Sequence, residues 1–138
     1  MEHAYRLAAD VIVVLHLAYV LFILVGLVLI LLGAARRWRW TRNAYFRCAH
    51  LAAIAIVVVE ALCGVTCPLT VWEKAFRARA GDATYRGDFL ARWAHDILFI
   101  DAAPWAFTLV YCLLGLAVLA AFVVAPPQFN RSNASLRR

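Results

Sequence analysis

Four ionisable side chains interrupt otherwise apolar runs of this sequence: Asp10, His16, His50 and Glu60. A charged group at the middle of a membrane helix costs roughly 2.5–3.5 kcal/mol on insertion scales, so each should face a neighbouring helix or water rather than lipid. Asp10 stands near the start of the first apolar run. Glu60 stands near the end of the second, which runs back the other way, so the two carboxylates reach similar depths. Carboxylate and imidazole are ordinary ligands for a divalent metal. Asp10, His16 and Glu60, joined by His95 from the segment beyond, are therefore the candidates for a metal or proton site. The plainer alternative weighs more. It has Asp10 and Glu60 snorkelling, or capped by polar groups such as Arg6, Arg92 or a tryptophan N–H.

His16 and His50 also raise the question of haem, which needs ligands at equal depth on facing helices. His16 lies well inside the outer end of the first run and His50 close to the inner end of the second, a mismatch of roughly 8–10 Å at ~1.5 Å per residue. A histidine hydrogen-bonded to a neighbouring helix is the better expectation, and no cofactor is assigned. The four cysteines, Cys48, Cys63, Cys67 and Cys112, form no CxxC pair, which argues against zinc fingers and thioredoxin-type chemistry. Cys63 and Cys67 are one helical turn apart. A disulfide there needs the helix to break, which Gly64 and Pro68 permit, but free thiols are expected. No Ser-His-Asp order, glycine-rich phosphate loop or HExxH is present.

The elements that must position these groups follow from composition. Of 138 residues, 66% are apolar, and the mean hydropathy is +0.79. A soluble domain sits near 45–50% apolar, so the surplus calls for lipid. The net charge of +6 comes mostly from arginines flanking apolar runs, the pattern of topology signals rather than of a nucleic-acid surface. The expected fold is an all-α integral membrane protein, a single domain over 1–138. Three transmembrane helices span about 7–32, 45–65 and 104–124, and two short interfacial amphipathic helices lie between the second and third. The first run is too long for a signal segment and has no cleavage site after it.

Cys67-Pro68 should close the second span. Thr70-Val71-Trp72-Glu73 then fits a capping box opening a short helix to about Ala80, with Gly81 as its stop and Trp72, Ala75 and Phe76 on one face. A second short helix is expected from Asp88, with Phe89, Trp93, Ile97 and Ile100 on one side. Pro104 suits the first turn of the third span, with Asp101 as its cap, and Pro126-Pro127 ends it. Seams of small and polar residues at Tyr19, Gly26 and Gly33, at His50, Ala53, Val57, Glu60, Gly64 and Cys67, and at Thr108, Cys112 and Gly115 mark the expected interhelical faces.

Five arginines between Arg36 and Arg47, interleaved with Trp38, Trp40 and Tyr45, make a positive connector without an acid. The tail 126–138 is also basic, while the outer segment 68–103 balances its charges. The positive-inside rule then puts connector and tail in the cytoplasm, with the N-terminus and 68–103 outside a bacterial inner membrane. The arginines of the outer segment keep the opposite orientation open. The tail's two Asn-x-Ser sequons are discounted on the same ground.

Cys67-Pro68-Leu69-Thr70 with Glu73 resembles a motif of the bacterial membrane-protein family catalogued as domain of unknown function 2784. Asp10 with His16, His50-Leu51, Gly64, Ala80-Gly81, Tyr85-x-Gly87 and Asp101-x-x-Pro104-Trp105 extend the resemblance over about 7–124. It implies a helical membrane fold and brings no catalytic residues. Position 60 is often an amide in relatives, so Glu60 is a departure that weakens any shared carboxylate mechanism. Cys67, Pro68, Leu69, Thr70, Glu73, Tyr85, Asp101 and Pro104 are read as a structural set. The rival reading is a ligand-binding corner built from Cys67, Glu73 and Tyr85.

The favoured function is non-enzymatic: an accessory or scaffold subunit of a larger membrane complex, in contact with lipids and partner subunits and not with nucleic acid. The first alternative is a metal- or haem-binding redox protein using Asp10, His16, Glu60 and His95. The second is an outer-leaflet, lipid-acting enzyme with Glu60, Glu73 or His95 as acid or base.

Overall fold

A run that is apolar on every face has no stable home but lipid, where a helix satisfies all its backbone bonds internally. The computed structural model describes residues 1–84, 92–93, 95–96 and 103–128. Among these, four α-helices are described from end to end, and no strand forms. They are α1 (Glu2–Ala35), α2 (Ala44–Cys63), α3 (Pro68–Arg79) and α4 (Pro104–Val124). Helices α1, α2 and α4 are long and apolar enough to cross a membrane. At 34 residues, α1 is ~50 Å long against a hydrocarbon core of ~30 Å, so it overhangs the core.

The start of α2 is set by Asn43, whose side-chain oxygen accepts from the amides of Tyr45 at 2.9 Å and Phe46 at 3.3 Å. Its end corrects the sequence expectation. Cys67-Pro68 does not close the helix; Gly64 does, a turn earlier, in the left-handed conformation at φ 66°. The Val65 amide then donates to the Glu60 carbonyl at 2.9 Å, the reverse turn that glycine permits without a Cβ penalty.

The expected capping box is corrected too. Helix α3 starts at Pro68, with Cys67 as its N-cap residue. Thr70 is therefore inside the first turn and wholly buried, and Glu73 reaches forward to Arg77 instead of back. Gly81 does stop this helix, at φ 75°. The buried face carries Thr70 and Glu73, while Trp72 is 57% exposed. Helix α3 runs antiparallel along the first half of α1: Phe76 stacks on Tyr5, Arg77 meets Asp10, and Asp82 meets Arg6 at 2.8 Å. Most of the short helix expected from Asp88, together with Tyr85 and Asp101, lies outside the described residues. Arg92, Trp93, His95 and Asp96 are described and helical.

The buried face of α1 follows a seven-residue rhythm at Ala9, His16, Ile23 and Ile30, with Gly26 and Gly33 also buried. Ile23, Ala53, Ile54 and Val118 form the core. Helix α4 rests mainly on α2 and only lightly on α1. Arg47 at the start of α2 ties down the far end of α4. Its guanidinium donates to the carbonyls of Ala121 and of Ala125, the latter at 2.7 Å, and lies over the Phe122 ring.

Candidate functional site

Because α4 leans on α2 and away from α1, the three spans leave a cavity of about 110 Å³ between them, closed at one end by the first turn of α3. Its walls are apolar, with Ile23, Leu24, Ile54, Val57 and Leu114 among them. Its polar edge comes from every helix: His16 of α1, Glu60 of α2, Cys67 and Thr70 at the head of α3, and Tyr111 of α4. An apolar pocket edged by a few polar groups is the usual form of a small-molecule site.

The antiparallel register puts His16 and Glu60 level. His50 of α2 sits beside Ile23 and Gly26 of α1. About ten residues further along α2 is Glu60, and seven to ten residues back along α1 is His16. The left-handed turn at Gly64 then folds the chain so that Cys67 returns beside Glu60. Burial pushes the Cys67 thiol above its ordinary range, and the Glu60 carboxylate adds to this. The amides of Leu69 and Thr70 in the first turn of α3 oppose it. Thr70 has no exposed surface, and its hydroxyl oxygen has no hydrogen-bond partner. An orphaned buried hydroxyl costs roughly 1–3 kcal/mol, so it marks the polar edge of this cavity as incomplete.

The four residues singled out as a metal set are distributed over different surroundings. His16 and Glu60 share the cavity. Asp10 faces outward, with 64% of its side chain exposed, and meets Arg77 at 3.3 Å. His95 is exposed and lies 3.3 Å from Asp96, whose carboxyl is held below its usual range first by His95 and then by Arg92. Among the described residues no three His, Cys, Asp or Glu side chains converge as a metal site would require.

His50 is occupied elsewhere. Its Nε2 bonds the Ile23 carbonyl at 2.8 Å, and its ring lies against Gly26 between Phe22 and Phe46. Glu73, only 2% exposed, is held by Arg77 at 2.6 Å. That hydrogen bond is the largest influence holding the Arg77 guanidinium above its ordinary pKa. Of the ligand-binding corner, Cys67 lines the cavity, Glu73 is in this ion pair, and Tyr85 is outside the described residues.

Of the polar edge, Tyr111 escaped the sequence reading, and Thr70 was read as a helix cap. Tyr111 precedes Gly115 and Val118 by four and seven residues, the spacing of one helix face, and that periodicity could have found it. The orphaned hydroxyl of Thr70 left no signal, since a capping box gives that oxygen a partner.

Three apolar spans braced by a short polar helix, with a polar-edged cavity between them, define a helical membrane protein. The chain belongs to the family described as Protein of Unknown function (DUF2784), which it matches over residues 6–127. No curated protein and no solved structure matches it.

Proposed function

We propose that this chain is a non-catalytic accessory or scaffold subunit of a larger assembly in the bacterial inner membrane. The observation that carries the reading is where its intramembrane polar groups go. Tyr19 donates to the Ala53 carbonyl at 2.7 Å, His50 bonds the Ile23 carbonyl, and Arg47 holds the end of α4. These contacts fasten one helix to the backbone of the next, which is the work of a scaffold. Helix α1 also offers exposed apolar side chains from Val11 to Leu32, and α4 from Leu109 to Val124. Such surfaces suit lipid or the helices of partner subunits.

The lipid-acting enzyme reading would rest on Glu60 in the cavity, since Glu73 is engaged by Arg77 and His95 lies at an exposed position beside Asp96. In the proposed orientation the connector 36–43 and the tail are cytoplasmic and the N-terminus is outside, by the arginine bias. Native purification in a mild detergent tests the role. Co-migration with other membrane subunits is expected, and strict isolation as a monomer refutes it. Labelling of a single cysteine placed in the connector tests the orientation. An impermeant reagent added to intact cells should fail to reach it.

A further inference from the structure

We propose that the corner where the connector 36–43 meets the end of α4 binds an anionic phospholipid, its phosphate on Arg39 and Arg42 and its acyl chains along α4. The inference is independent of the scaffold role and concerns two arginines that role leaves unused.

Local geometry concentrates charge at this corner. Trp40–Arg42 form a single 3-10 turn with Arg39 at its N-cap, and residues three apart in such a turn eclipse one another. Arg39 and Arg42 therefore stand on the same side of the connector. The turn is firmly anchored. Thr41 is 2% exposed and packs on Gly33, and the Gln128 amide donates to the Arg42 carbonyl at 2.7 Å. The Arg42 guanidinium reaches the Pro126 carbonyl at 3.4 Å and is near enough to Arg47 to repel it.

Nothing in the chain balances these cations. Among the described residues no carboxylate is paired with Arg39, Arg42 or Arg47. The nearest acids in sequence are Asp10, 26 residues before Arg36, and Glu60, 13 residues after Arg47. Both stand toward the opposite ends of their helices, and residues 129–138 contain no acid. The last carbonyls of α4 supply about half a negative charge, against three guanidiniums. The Nε atoms of Arg42 and Arg47 are buried without a hydrogen-bond partner, so acceptors are short as well. Like charges three residues apart destabilise a helical turn. A phosphate diester brings the missing negative charge, with oxygens that match the guanidinium fork.

The surroundings decide between a soluble phosphate and a lipid. Trp40 is 53% exposed, and Val123 and Val124 are 70% and 83% exposed. The two valines directly precede Ala125, whose carbonyl Arg47 holds. A soluble phosphate ester leaves this apolar flank uncovered. A phospholipid covers it with its chains, while its headgroup sits at the level of the tryptophans. Basic clusters at the end of a span bind anionic headgroups in this way.

The test uses the full chain with tryptophan kept only at position 40, the other four replaced by phenylalanine, in phosphatidylcholine bilayers. Quenching of Trp40 by dibrominated phosphatidylglycerol is compared with quenching by dibrominated phosphatidylcholine. The anionic lipid should be preferred by ~5-fold or more, the value of one basic residue at an anionic surface. A chain keeping only Trp105, at the other end of α4, should show a preference below ~2-fold. Arg42→Gln and Arg39→Gln should each bring the Trp40 preference below ~2-fold. Arg36→Gln removes the same charge from a residue that lies over Trp38, and should leave most of the preference. Helical circular dichroism checks folding. The Gln128 clasp uses the Arg42 backbone and Arg39 is exposed, so neither substitution removes a contact of the fold. Equal quenching by the two lipids at Trp40 overturns the proposal, as does a preference that survives both site substitutions. An equal loss in Arg36→Gln, or an equal preference at Trp105, would reveal only a diffuse field and overturns the site. Relief of the quenching by glycerol 3-phosphate would make the ligand a soluble phosphate ester and refute the lipid.

Discussion

Adding one methyl group at Gly26 should loosen the α1–α2 pair. A Cβ built there would lie 2.6 Å from His50 Cδ2 and 2.8 Å from His50 Nε2. Real Cβ atoms essentially never come within 3.0 Å of such a neighbour, so the ring must move. The ring cannot move freely, because its Nε2 is bonded to the Ile23 carbonyl and Phe22 and Phe46 flank it. Overpacking of this kind costs about 1–3 kcal/mol. Loss of the interhelical hydrogen bond adds about 0.6–1.7 kcal/mol in a membrane setting. Replacing glycine by alanine in a helix interior returns about 1 kcal/mol. Gly26→Ala should therefore destabilise by about 2 kcal/mol in total. Reversible unfolding in mixed micelles titrated with dodecyl sulfate reads this as a lower midpoint. The decisive control is the His50→Ala background, where the space is vacant. There Gly26→Ala should be neutral or stabilising by up to about 1 kcal/mol. An equal loss in both backgrounds would refute the contact, and so would no loss in the wild-type chain.

Three further outcomes follow from named contacts. Arg47→Ala strips the Ala121 and Ala125 carbonyls of their donor. It should destabilise by roughly 2–4 kcal/mol, with faster amide exchange confined to the end of α4. Arg77→Ala removes the 2.6 Å charged hydrogen bond from the buried Glu73 carboxylate, for a loss of about 1.5–3 kcal/mol; adding Glu73→Ala should recover part of it in a thermal melt. Because the Arg77 pKa is raised in the folded chain, its contribution is complete below the ordinary arginine range and is lost only above it. Stability from this pair should therefore be flat between about pH 7 and 10. Cys67 is also raised, so its thiolate should form later than in a free thiol. In a variant that keeps only this cysteine, alkylation should still be climbing past about pH 9. Glu60→Gln should shift that profile to lower pH, and an unmoved profile counts against the contact.

Much of the architecture was legible because lipid imposes simple rules. The spans expected at 7–32, 45–65 and 104–124 correspond to α1, α2 and α4, since length and hydropathy alone decide membrane crossing. Gly26, Gly33 and Gly115 were readable as contact points from their spacing, and each lies where a Cβ would meet a neighbouring side chain. The corners were less readable. Proline at 68 looked like the stop of the second helix, yet the left-handed Gly64 acts first and Pro68 opens the next helix. Both residues break helices, and local pattern does not rank them. Arg47 was grouped with the topology arginines, but it is buried against α4. Nothing within the connector distinguishes it from Arg42 or Arg39, because its partners are backbone carbonyls more than seventy residues away.

By itself, then, the sequence determined that this chain lives in a membrane, how many times it can cross, and which residues are too polar to face lipid. Transfer free energies and helix periodicity are local properties, written into each segment. The tertiary structure alone decided which of those polar residues meet. Asp10 went to Arg77, His50 to the Ile23 backbone, and His16 with Glu60 to one cavity. Such partnerships depend on the register of antiparallel helices and on α4 leaning toward α2. Those features are fixed by contacts between distant segments, which no single stretch of sequence encodes.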